Sequence, residues 1–222
     1  MAAIPLITSI GFVLTTLATL YFFYQATKSK SFLIGILIYM AIVGIVGYTG
    51  FYRVENTIPP RFIFLLAPGV LALVLLFLSQ KGRTFSDQTN LRWLTLLHVI
   101  RVPVELVLFS VFQAGLIPEL MTFEGYNYDI LSGISAPLIY YAVFVKKWIG
   151  NKGLLLWNVL CLGLLINILT IAILSAKTPI QQLAFDQPNV GVTYFPFVWL
   201  PAVVVPIVFY AHLASIRQLT KK

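Results

Sequence analysis

The chain has 222 residues, of which 59% are apolar and only 10% charged, with a formal net charge of +8 and a mean hydropathy of +0.93. So oily a composition excludes a soluble globular domain and marks an integral membrane protein. Apolar stretches of about 20 residues, the length that crosses the hydrocarbon as a helix, follow one another with short polar breaks, and no soluble domain fits between them.

These stretches predict an all-α polytopic membrane protein, a single domain over residues 1–222 built as a bundle of seven transmembrane helices. The expected spans are 5–27, 31–52, 61–80, 92–117, 128–147, 153–176 and 194–217. The opening MAAIPLITSIGF lacks a positive region before its apolar run and a small-residue cleavage site after it, so the first span is expected to be retained. Thr15, Thr16 and Thr19 on this span are candidates for bonds to other helices. Gly44, Gly47 and Gly50 lie three apart on the second and predict a close helix approach. Pro68, Pro103, Pro137, Pro201 and Pro206 fall inside spans, where each removes a backbone donor.

The fourth span carries LHVIRVPVELVL. At 100° per residue His98, Arg101 and Glu105 share one helical face, and Glu105 falls about 20 Å from the end near Arg92. Ionisable groups at such depth are costly unless paired or hydrated, and they are functional candidates by default. Arg101 and Glu105, four residues apart, are expected to pair along the helix. His212 on the last span falls at a depth similar to His98, so the two rings can meet. Asn158 on the sixth span and Tyr140 on the fifth complete the expected ligand-binding set. Asn167, Ser132 and Ser135 are further polar positions within spans, and the lone Cys161 reads as packing.

Between the fourth and fifth spans, IPELMTFEGYNYDILSG sets Glu119, Glu124, Asn127 and Asp129 among aromatic residues. Asp129 is expected to cap the fifth helix and Gly125 to make a tight turn. The acids and aromatic rings together can form a lid over an outward-facing pocket.

Basic loop residues resist translocation. Lys28, Lys30, Lys81, Arg83, Arg92, Lys146, Lys147, Lys152, Arg217, Lys221 and Lys222 fall on one side, with only Arg53, Arg61 and Lys177 on the other. The N-terminus is therefore expected outside and the C-terminus in the cytoplasm, in a bacterial inner (plasma) membrane. The positive charge then serves topology and contact with membrane lipids, with no role for nucleic acid. The last span has no mid-membrane lysine, which excludes a retinal Schiff base.

Three functions fit these residues. In the first, the chain binds or transports a small molecule or lipid, with Arg101 holding an anionic group and Glu105 coupling to protons. In the second, it is a membrane enzyme acting on a lipid or isoprenoid, with His98 or Glu105 as acid or base. In the third, His98 and His212 hold a b-type haem. The absence of a nucleophile beside a base favours the first, and the identity of any cofactor is open.

Overall fold

Backbone groups in hydrocarbon find no water, so a chain this apolar must close its own hydrogen bonds, and helices do so locally. A computed structural model describes residues 4–55 and 57–221. Lys222 and the first three residues of MAAIPLITSIGF lie outside the described residues. The helices are α1 (Leu6–Thr27), α2 (Lys30–Tyr48), α3 (Ile63–Leu78), α4 (Gln80–Asp87), α5 (Leu91–Gln113), α6 (Ile130–Val145), α7 (Asn151–Leu174) and α8 (Leu200–Thr220). No strand occurs among the described residues.

Five of these, α1, α2, α5, α7 and α8, are long and apolar enough to cross a bilayer. Counting α3 and α4 together as one broken span gives six, and the expected seven would need the short α6 as well. The third stretch does not run on into the polar break; α3 stops at Ser79, whose extended backbone turns the chain by 89° into α4. The Ser79 hydroxyl accepts from the Gly82 amide at 3.0 Å and so starts the new helix, in a segment expected to be a loop. Helix α6 is shorter than a full span and ends in a π turn at Tyr141–Val145. The last helix begins at Leu200 rather than 194; the chain first makes a 3-10 turn at Gly191–Thr193 and further tight turns that lead into it.

Prolines also mark irregular turns inside α5 and α8. Pro103 has no amide for the Val99 carbonyl, and one turn earlier α5 tightens to 3-10 geometry at His98–Ile100. In α8 the turn Leu200–Val204 is a π turn, just before Pro206. Both distortions lie on the two most buried helices. In contrast, α2 turns Ile34, Ile38, Ile42 and Ile45 outward, an apolar face suited to a lipid environment.

Small residues set the close approaches. A Cβ on Gly47 would meet Val198 at 2.9 Å, so α2 packs tightly on the segment that leads into α8. Gly50 instead ends its helix in the left-handed region, at φ 78°. The threonines of α1 depart from expectation: Thr15, Thr16 and Thr19 donate to carbonyls of their own helix, while Thr8 makes the link to Ser110 at 2.7 Å. A side chain that reaches its own carbonyl four residues back needs no partner helix.

At one end of the bundle α4 clasps the end of α8. Arg217 grips Asp87 through two bonds of 2.8 and 3.0 Å, Lys221 adds a third at 2.8 Å, and Gln218 donates to the Ser86 and Thr89 carbonyls. These cations hold the Asp87 carboxyl well below its ordinary range, at about 2. A depressed carboxyl stabilises the fold at all pH above its unfolded value of about 4, and that contribution fades as pH falls towards 2. The melting temperature of detergent-solubilised protein should therefore exceed that of Asp87→Asn by a constant margin above pH 5, and the two curves should converge as pH approaches 2.

Candidate functional site

All three ionisable residues of the α5 stripe are buried: His98 is fully enclosed, and Arg101 and Glu105 are each 2% exposed. Their partners are not those that helical spacing suggests. Arg101 does not pair with Glu105; its Nη1 meets the Asp129 carboxylate at 2.6 Å. The carboxylate comes from the start of α6, and it reaches Arg101 because α6 packs against α5 at Gly133. A Cβ there would stand 2.8 Å from the Val102 side chain and 3.2 Å from Arg101 Cβ. Asp129 therefore makes no side-chain cap on α6, contrary to the expected role, since a buried guanidinium outcompetes exposed backbone amides.

The other Arg101 nitrogen, Nη2, lies 3.0 Å from His212 Nε2, and His212 Nδ1 lies 3.0 Å from Asn158 Oδ1. Arginine can only donate, so His212 Nε2 accepts and Nδ1 carries the proton. Asn158 agrees, because its amide donates to the Leu154 carbonyl at 2.9 Å and leaves Oδ1 as the acceptor. The bonding pattern thus selects one neutral tautomer of His212.

Glu105 is held separately. The Asn127 amide donates to its two oxygens at 2.6 and 2.7 Å, and Asn127 Oδ1 accepts the Asp129 backbone amide at 3.1 Å. One series of hydrogen bonds consequently runs from Asn158 through His212, Arg101, Asp129 and Asn127 to Glu105, joining α7, α8, α5, α6 and the loop before α6. Gly125 makes the loop's turn possible, since a Cβ would lie 2.3 Å from the Glu119 carbonyl oxygen. Within the loop, Glu119, Glu124, Tyr126 and Tyr128 face outward while Asn127 and Asp129 turn in. Asn127 and Asp129 were legible only as loop and cap residues; the one local hint was two hydrogen-bonding side chains immediately before an apolar helix.

His98 stacks face to face on His212, with ring centres 4.0 Å apart and planes 16° from parallel, and its edge meets Trp157. Neither His98 nitrogen has a partner among the described residues. An iron shared by two imidazoles needs their nitrogens aimed at each other across a macrocycle. Stacked faces leave no such space, and both His212 nitrogens are engaged. Among the described residues no group of three His, Cys, Asp or Glu is arranged around a metal position. Tyr140 rests near Phe144 and takes no part in the network's hydrogen bonds. Ser135 accepts from Trp157 Nε1 at 2.9 Å, and Asn167 ties α7 to the loop through the Tyr126 carbonyl.

A cavity of about 70 Å³ borders the network, with Glu105 and Asp129 on its wall and Asn189, Phe62 and Pro201 opposite. It has room for a few waters and no more.

Removing one member of a buried ion pair strands the other, which costs about 3–5 kcal/mol. Arg101→Leu should lower thermal stability by that order by stranding Asp129, whereas the double change Arg101→Leu with Asp129→Leu should recover most of the loss. Calorimetry or a tryptophan-fluorescence melt of the three proteins in one detergent reads this directly. If Glu105→Leu rescued Arg101→Leu as well as Asp129→Leu does, the helical pair would be the correct one.

No curated protein and no solved structure matches this chain. A family described as a domain of unknown function, DUF8737, matches residues 59–220, a segment that holds every member of the buried network. The chain belongs to that family.

Proposed function

We propose that the protein binds a small molecule within the membrane and carries it across, with Glu105 exchanging a proton during the cycle. The observation that supports this most is the setting of Glu105. Its carboxyl group lies on a cavity wall, 2% exposed, with an asparagine amide as its only hydrogen-bond partner among the described residues. The nearby cation is already committed to Asp129 and His212. With Glu105 protonated and His212 neutral, the network sums to zero charge; with Glu105 ionised it carries one net negative charge. Proton binding at this one residue therefore switches the cluster between neutral and charged, and a charged cluster in hydrocarbon favours water or a ligand beside it. The proline-marked turns of α5 and α8 supply places where the helices can flex.

The same proposal includes the finer topology: α3 with α4 and the short α6 as the two additional crossings of a seven-span chain, with the N-terminus outside, in a bacterial inner membrane. The bias of basic residues towards one set of loops supports that orientation. Enzyme chemistry has weaker support, because His98 is shut between the rings of His212 and Trp157 and does not line the cavity.

The test is proton movement. Protein in liposomes loaded with a pH-sensitive dye is offered pools of small metabolites under an imposed pH gradient. A metabolite that drives proton entry should be found, and Glu105→Gln should abolish that coupled entry while the protein still folds and melts cooperatively. Coupled uptake that persists in Glu105→Gln overturns the assignment, as does turnover of a substrate in detergent with no gradient present.

A further inference from the structure

Three basic residues, Arg53, Arg61 and Lys177, stood apart on the end of the bundle that is otherwise poor in positive charge. They come from two loops far apart in sequence, yet all three line one cavity of about 400 Å³ at that end, with two carboxylates, Glu55 and Asp186, and with Thr178 and Asn189, so the cations outnumber the acids by one. That volume suits a small organic molecule. Basic residues oppose export of the loops that carry them, so their convergence on a single cavity calls for a gain elsewhere.

The three are not equivalent. Lys177 is committed to Glu55 at 2.8 Å. Arg53 lies over the Tyr194 ring at 4.9 Å and Arg61 over the Phe51 ring at 4.5 Å, and neither has a carboxylate within ion-pair distance among the described residues. Ring stacking covers the face of a guanidinium and leaves its N–H edge, the fork that matches a carboxylate or phosphate. Gly50 permits the Arg53 placement, since any Cβ there would collide with the guanidinium at 2.5 Å.

The same cavity is also lined by Asn189, 1% exposed. Its Nδ2 donates to the Ala172 carbonyl at 3.0 Å, which fixes the amide's orientation, and its Oδ1 has no partner among the described residues. Thr178 Oγ1 on the same cavity also lacks a partner among the described residues. A buried acceptor left open calls for a donor from outside the chain. Asn189 and Phe62 line this vestibule and also the inner cavity on which Glu105 sits.

We infer that the vestibule recognises a compact oxyanion, a carboxylate or phosphate that also carries a hydrogen-bond donor, through the edges of Arg53 and Arg61 and the open oxygen of Asn189. The second part of the inference, that Asn189 hands this molecule towards Glu105, rests on the transport reading above.

Thiol labelling tests the vestibule without knowledge of the natural ligand. Thr178→Cys is placed in a Cys161→Ala chain in nanodiscs of zwitterionic lipid, and its modification rates by sulfonate-bearing and trimethylammonium-bearing methanethiosulfonates are compared. The anionic reagent should react about tenfold faster or more, the scale on which a focused charge concentrates an opposite ion. Arg53→Ala with Arg61→Ala should erase that preference, and phosphate or lactate should slow labelling only while both arginines are present. Equal rates for the two reagents, or no protection by any oxyanion, overturn the inference. A parallel sample in anionic-lipid nanodiscs without soluble oxyanion distinguishes the source: protection there alone assigns the oxyanion site to a lipid headgroup, and protection by phosphate or lactate assigns it to a soluble molecule. Proton-coupled uptake that survives Arg53→Ala with Arg61→Ala overturns the hand-off from the vestibule and leaves the Glu105 reading intact. Loss of coupling in Glu105→Gln with labelling protection unchanged supports both.

Discussion

Arg101 is the constraint on which the rest of the buried site depends. A guanidinium stays charged in proteins and presents several donors in a rigid plane, so one enclosed in a membrane helix must be met from several directions at once. Asp129 meets it from α6, His212 from α8, and the Cys161 carbonyl of α7 lies within 3.4 Å of Nη1. Each of those contacts fixes a helix position. The absence of a side chain at Gly133 brings α6 close, and Asn158 orients the imidazole ring that accepts from the arginine. The charge is expensive, and much of the local packing follows from meeting its requirements.

Much of this was legible in the amino-acid order, and the exceptions share a cause. Helical periodicity places His98, Arg101 and Glu105 on one face, and all three are buried. The depth argument that set His98 level with His212 agrees with two rings in contact. What periodicity could not reveal is which of two carboxylates answers Arg101. Local rules chose Glu105, one turn away, and assigned Asp129 to a cap. The fold reverses both because a contact across 28 residues, made possible by a glycine on α6, satisfies the guanidinium more directly than a neighbour on the same helix. Asn189 was invisible for a related reason. What sets it apart is an oxygen without a partner among the described residues, and a missing partner leaves no trace in sequence.

The division between spans and breaks shows the same limit. Composition separates apolar from polar stretches reliably, yet SQKGRTFSDQTN became a helix lying across the bundle end, because a serine cap and a polar helix can start where an apolar one stops. The basic residues marked orientation in the sequence and turn out to have further uses. Arg217 and Lys221 clamp Asp87, while Arg53 and Arg61 rest on aromatic rings beside a cavity.

The clasp between α4 and α8 has a mechanical consequence. Bound at its far end through Asp87 and Gln218, α8 is joined to α4 and, through the bend at Ser79, to α3, so a displacement of one of these helices is passed to the other two. Along α8, His212 is bonded to α5 through Arg101 and to α7 through Asn158, and its ring stacks on His98. Any sliding of α8 would have to part both hydrogen bonds and separate the two stacked rings, so one imidazole ties three helices at a single point.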